Sequence, residues 1–361
     1  MKKILIVACN DLGNGGIQHV IMDIVRNLSD KFHFDILLFS NEESYFEPEF
    51  KKYGKVFRLP HYEGRYKILR KIDKYIRFFR IYKGVKKILK ENGPYNVIHC
   101  HNYFEAAPCL MAAKHCGVPI RISHGHDIFL KSHCIAEIYR NFYRYLINRY
   151  ASCKIACSQG AADYLFGKNR GGISVSNAID LKKFDMQLYL ISKLKHSFIH
   201  VASFGEKKNQ LFILDVFKII QEYWTDATLK LIGNKNEEYE QKLRNKIAVL
   251  NLHNVEFLPH YSDIPTLFAQ SEYMIFPSLF EGFGLALAEA QAMGVKCFAS
   301  DVIPKESDIG LCHYLSLKQP AQEWAQEIFN SEKEPIKKPD ISKVNLSNFL
   351  NKIYDCYERI K

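Results

Sequence analysis

Residues 277–294 read PSLFEGFGLALAEAQAMG, a turn holding two glycines that runs straight into an alanine-rich segment. Gly282 and Gly284 have no Cβ, so the turn can take positive φ and let a ligand approach the main chain closely. The spacing of Leu285, Ala288, Ala292 and Met293 predicts a buried helix face from about residue 284 onward. The first N–H groups of such a helix lack internal partners and sit at its positive end, a natural seat for a diphosphate. Glu281 then falls just before the helix and Glu289 one to two turns inside it. Carboxylates accept hydrogen bonds from hydroxyls, and a nucleotide sugar offers hydroxyls at both ends. Glu289 taken alone fits equally well as a solvated side chain on an amphipathic helix; the whole string favours the site.

Strands and helices alternate on either side of this stretch. In the first half, short apolar runs predict strands at 3–8, 34–39, 56–59, 96–100, 119–123, 154–156 and 172–175. Ile17, Val20, Ile21, Ile24, Val25 and Leu28 follow a helical period between the first two. After a less regular stretch, 180–197, strands return at 198–203, 228–232, 255–258, 273–276 and 295–299. Short continuous apolar strands between amphipathic helices predict parallel sheets covered on both faces. The expected organisation is a Rossmann-like domain over 1–180, a second over 195–341, and a terminal helix over 342–361. The chain of 361 residues is long enough for two cores of ordinary size.

Composition narrows the class. None of the ten cysteines forms a CxxC pair, and most sit in apolar runs, so they read as small buried hydrophobes in a reducing compartment. The opening MKKILIVACN is too short in apolar residues for a leader or a membrane span, and a cytoplasmic location is expected.

The pattern E-x7-E within EGFG-LAL-EAQAMG resembles the signature of retaining glycosyltransferase family 4. The likeness extends through GNGGIQ, VIHCH, ISHGHD, SNAID, KKNQ and SDVIPKE, covering nearly the whole chain. SDVIPKE followed by HYLSL is most similar to bacterial enzymes that build capsular polysaccharides and exopolysaccharides. The resemblance implies the GT-B fold, two Rossmann-like parallel-sheet domains facing across a cleft, with the terminal helix crossing back to the first. It implies that Glu281 contacts the donor sugar, Glu289 the nucleotide ribose, and the N–H groups of Phe283, Gly284 and Leu285 the phosphates.

Other motifs follow predicted strands, where ligands bind in open parallel sheets. Gly13 to Gly16 lacks the last glycine of the dinucleotide fingerprint and fits a plain tight turn as well as a ligand loop; the resemblance implies that Gly15 and Gly16 close over the donor. His124, Gly125, His126 and Asp127 are too crowded, and lack a partner motif, for a metal site. The resemblance assigns His124, with His126 as second choice, to a hydrogen bond with the transferred sugar. His99 and His101 in VIHCH read as cleft-lining or structural. Lys208 is expected to neutralise the departing diphosphate, with Lys207 as surface charge. Where the family usually has an Arg five positions before that Lys, this chain has Ser203. No Asp-x-Asp element occurs, so no divalent metal is expected.

Between residues 65 and 90 eleven basic residues face one acid, a net of +10 in a chain whose total is +11. The segment reads as a basic amphipathic helix, broken in two or not. Residues 83–90 suit a solvated outer face. For 65–80 an anionic membrane surface is as good a reading as solvent, since each basic residue there contributes on the order of 1 kcal/mol. Nucleic acid is disfavoured because no reader motif is present. The resulting expectation is a hexosyltransferase, peripheral on the inner face of the membrane, that moves a hexose from a UDP-linked donor to a lipid-linked glycan with retention. A nucleotide-sugar epimerase and a non-catalytic partner subunit are the alternatives.

Overall fold

The computed structural model describes residues 1–60, 67–128, 134–189, 191–233, 236–259, 262–335 and 337–359, with side chains described outside 67–75 and 134–136. The chain divides into two compact units: Met1–Asn177 with Ser347–Lys361, and Ala178–Leu346.

The first unit is built on seven strands: β1 (Lys2–Val7), β2 (Phe32–Leu38), β3 (Val56–Arg58), β4 (Val97–Cys100), β5 (Ile120–Gly125), β6 (Cys153–Ala156) and β7 (Ile173–Ser174). They pair in parallel in the order β3-β2-β1-β4-β5-β6-β7. β1 and β4 lie at the centre, and Ile4 to Val7, Val97 and Ile98 are fully buried, as strands covered on both faces must be. The order reverses between β1 and β4, the switch point at which such sheets bind ligands. Helix Gly16–Leu28 turns Val20, Ile21, Ile24, Val25 and Leu28 inward, at the spacing read from the sequence. The basic segment forms one unbroken helix, Lys67–Asn92, not two. The terminal helix Leu346–Glu358 buries Phe349, Ile353, Cys356 and Tyr357. Tyr357 stacks edge-on against Phe32, with ring centroids 5.3 Å apart. The Cys356 and Cys153 sulfurs lie 3.6 Å apart as free thiols.

The second unit holds β8 (Ser197–Val201), β9 (Thr228–Gly233), β10 (Val255–Pro259), β11 (Tyr273–Phe276), β12 (Lys296–Ser300) and β13 (Cys312–Leu315), parallel in the order β10-β9-β8-β11-β12-β13. The sequence reading omits β13. One of its cores packs Ile213, Leu214 and Phe217 against Leu229, Leu231 and Ile275, with Trp324 behind them. A second packs Leu287, Ala290 and Met293 against Met274, Phe276 and Cys297 on the other face.

Candidate active site

β11 ends at Phe276, and the chain crosses a loop to helix Leu285–Ala292. Gly284 caps that helix at φ +93°. A Cβ there would meet nothing nearer than 3.6 Å, so the backbone angle, not space, requires glycine. The Gly284 carbonyl accepts from Leu287 and Ala288 at 3.0 and 3.2 Å. Among the described residues, the N–H groups of Phe283, Gly284 and Leu285 make no hydrogen bond. These are the orphan donors of a helix start, and they carry the positive end of its dipole. The helix is buried on most sides, through Leu287, Ala288, Ala290, Gln291 and Ala292. Leu285, expected on the buried face, instead shares a partly open strip with Ala286 and Glu289. Positions 285 and 289 lie one turn apart and so share a side of the helix, and what packs around the helix leaves that side partly open. Gln291, which sequence reasoning passed over, locks the helix in place. Its side-chain oxygen accepts from Ile309 and Leu311 at 3.0 and 3.1 Å, and its nitrogen donates to the Leu287 and Ser307 carbonyls.

Glu281 is buried, at 6% exposure, and is ion-paired with Lys208. Lys207 adds a second cation 3.7 Å from its other oxygen. Burial alone would raise the Glu281 pKa, but the two ammoniums outweigh it and hold the carboxyl below its usual range. Lys207 is therefore not free surface charge. The short turn Glu206–Lys208 ends in Asn209 with left-handed φ, 56°, and the Asn209 amide donates to the Pro277 carbonyl at 3.3 Å. Both neighbouring lysines reach one carboxylate. Behind the pair, His200 donates from Nδ1 to the Ile275 carbonyl at 2.9 Å, and burial lowers its pKa to about 4. Ser203 lies two residues past the end of β8 and is exposed; its carbonyl accepts from Gln210 at 3.1 Å. An electropositive turn with buried acidic backing is suited to a polyanion whose flanks carry hydroxyls.

In the first unit, two His-x-His pairs lie at the carboxyl ends of β4 and β5. The register aligns His99 with Ile122 and Cys100 with Ser123. Alternate strand residues share a face, so His99 and His101 meet His124 and His126. His99 Nδ1 lies 2.8 Å from the Tyr357 hydroxyl, and its Nε2 lies 3.3 Å from His124 Nδ1. His101 Nδ1 and His126 Nε2 are 2.7 Å apart. All four rings are buried, and burial pushes their pKa values down, to about 3 for His99 and His126 and well below the usual value for His101 and His124. Ligand nitrogens of His99, His101 and His124 fall within 4.8 Å of one another, the one grouping of this kind among the described residues. The signal for this cluster was in the sequence, in two His-x-His pairs ending consecutive strands, but strand adjacency was not.

The glycine loop lies after β1. Gly13 N–H donates to Asp11 Oδ1 at 2.9 Å, Gly15 caps helix Gly16–Leu28 with φ −110°, and Gly16 is exposed. Neither Gly15 nor Gly16 needs a left-handed backbone. Of the proposed membrane segment 65–80, side chains 65–75 lie outside the described residues. Beyond them Ile76 and Phe79 are exposed, and Arg77 pairs with Glu105 at 2.8 Å. Among the described residues no helix is long and apolar enough to cross a membrane.

Residues 14–182 match the family described as Glycosyltransferase Family 4, and residues 195–330 match Glycosyl transferases group 1. EpsF of Bacillus subtilis, a protein assigned to the glycosyltransferases, is 29% identical over 348 residues, spanning 91% of this chain and 87% of its own. The UDP-Gal:alpha-D-GlcNAc-diphosphoundecaprenol alpha-1,3-galactosyltransferase of Escherichia coli is 23% identical over 313 residues, covering 80% of this chain and 76% of its own. Among solved structures, HepE of Anabaena in complex with UDP superposes with a TM-score of 0.76 at 19% identity, over 98% of this chain and 99% of that one.

Proposed function

We propose, for a chain that belongs to the family 4 glycosyltransferases, that it moves a hexose from a UDP-linked donor to a lipid-linked glycan acceptor, with retention of anomeric configuration, in surface polysaccharide synthesis. The observation that carries the reading is the turn at 281–285, where unbonded N–H groups at a helix start lie beside a carboxylate held by Lys207 and Lys208. In this reading the N–H groups of Phe283, Gly284 and Leu285 bind the diphosphate, Glu289 binds the ribose, and Glu281 binds the sugar. On donor arrival Glu281 accepts from sugar hydroxyls, and the lysines then stabilise the charge growing on the departing UDP. No metal takes part, because the two ammoniums supply that charge. The first unit binds the acceptor, and its own candidate substrate contacts are His124, Gly15 and Gly16.

The donor base is supported by the UDP-bound neighbour and the UDP-Gal relative, and the acceptor class by the diphosphoundecaprenol named for that relative. Peripheral membrane docking is supported by an apolar surface on helices Lys67–Asn92 and Cys134–Tyr150, which meet through Phe78 and Tyr143 at 5.8 Å. Ile76, Phe79, Ile138, Phe142 and Tyr145 are each more than half exposed there, in a region rich in Lys and Arg. The test is incubation of the protein with a panel of UDP-hexoses and undecaprenyl-diphosphate saccharides in anionic vesicles. A glycosylated lipid whose new linkage keeps the donor's anomeric configuration is expected. Isomerised donor without transfer, or no turnover with any pair, contradicts the reading.

A further inference from the structure

The helix Leu346–Glu358 carries a phenol into the histidine cluster, and the hydrogen-bond inventory there fixes more than position. A neutral imidazole has one N–H and one acceptor nitrogen. The Tyr357 hydroxyl is fully buried, and its one hydrogen-bond partner among the described residues is His99 Nδ1, at 2.8 Å. His99 Nε2 in turn faces His124 Nδ1 at 3.3 Å, while His124 Nε2 is buried with no partner. Two polarities of this chain are conceivable. If His99 donates to Tyr357, the phenol hydrogen has no acceptor among the described residues. If Tyr357 donates to His99, the one unmet donor is moved along the chain to His124 Nε2, where a ligand oxygen can accept it. Either polarity leaves one buried donor unmet in the free protein, at a similar desolvation cost; only the second leaves it on His124 Nε2, where a bound ligand satisfies it.

We infer that Tyr357 and His99 are positioning residues that fix His124 as the Nε2–H tautomer, making it a hydrogen-bond donor to the substrate and not a proton acceptor. The choice of polarity, and with it the tautomer, rests on the proposed function, which supplies the ligand oxygen at His124. His124 then meets an oxygen lone pair of the bound substrate and takes up no proton from it.

The test is long-range 1H–15N correlation on protein labelled with 15N-histidine, with His124→Gln used to assign the signal. Wild-type protein is expected to show His124 as Nε2–H. Tyr357→Phe, which removes only the hydroxyl, is expected to mix the His124 tautomers and lower kcat about three- to tenfold. Its dissociation constant for UDP should stay unchanged, since none of the three residues lies in the second unit. An Nδ1–H tautomer in the wild type overturns the inference, as does a Tyr357→Phe enzyme with unaltered tautomer and kcat. So does a stoichiometric metal ion retained through purification on His99, His101 and His124, because His124 would then bind metal instead of donating to substrate. If Tyr357→Phe does not fold, the wild-type spectrum alone decides. Absence of UDP binding and of transfer counts against the proposed function, whereas the tautomer is read from the wild-type spectrum alone.

Discussion

The two units present opposite solutions to burying polar chemistry at the ends of parallel strands. In the second, Glu281 is buried with its charge intact, because Lys207 and Lys208 both reach it. In the first, four imidazoles are buried with no carboxylate among their hydrogen-bond partners in the described residues, and they stay neutral. Charge can be kept in low dielectric where a counterion is built in; elsewhere the group gives up its proton. The difference separates two tasks. A paired charge next to free helix amides suits an anion that arrives and leaves, whereas a neutral cluster suits hydrogen bonds of fixed direction.

Acid provides the largest test of that contrast. An unfolded histidine titrates near pH 6.5, and His99 and His126 titrate at about 3 in the fold. The unfolded chain thus binds more protons between those values, so stability is complete above about pH 6.5 and falls as pH drops toward 3. Four histidines act this way in the first unit; in the second unit His200, at about 4, does so as well. Glu281, held low, contributes nothing until pH falls below about 4.5. Calorimetric melting between pH 7 and 4.5 should therefore destabilise the first unit far more steeply. Parallel shifts of both transitions would break the comparison.

Removing the built-in cation should act next most strongly. Lys208→Met takes away the nearer partner of Glu281, and transfer is expected to fall by roughly 10²–10³ in kcat, the scale for a lost electrostatic stabiliser. Steady-state kinetics check this, and a drop below about threefold would mean the lysine serves only the fold. Glu289→Ala is expected to weaken UDP binding by about tenfold or more, the loss of a charged hydrogen bond, with an unchanged melting temperature; titration calorimetry reads both the affinity and any loss of folded sites. The smallest effect is expected from chelation. EDTA should leave transfer unaltered if the ammoniums supply the charge, and abolished turnover restored by a divalent ion would reverse that assignment.

Much of the architecture was legible because its strands are short continuous apolar runs set between helical periods. β13 escaped because Cys312, His313, Tyr314 and Leu315 sit at a sheet edge, half-buried, with no apolar run to mark them. The helix start at 284 was readable from glycine spacing, while the partial exposure of Leu285 depended on what packs around the helix. Lys207 reads as surface charge because nothing in Glu-Lys-Lys-Asn shows that both lysines converge on the distant Glu281. His99 and His101 were visible as a motif, but their meeting with His124 and His126 needs β4 beside β5. Local chemistry was thus legible where one segment carries it, and hidden where two strands or a distant helix supply the partner.

The most direct measurement is a crystal structure of the protein soaked with UDP. The account predicts the pyrophosphate oxygens within about 2.7–3.2 Å of the N–H groups of Phe283, Gly284 and Leu285, with the ribose hydroxyls on Glu289. A nucleotide bound elsewhere, with those amides unoccupied at saturating UDP, would contradict it.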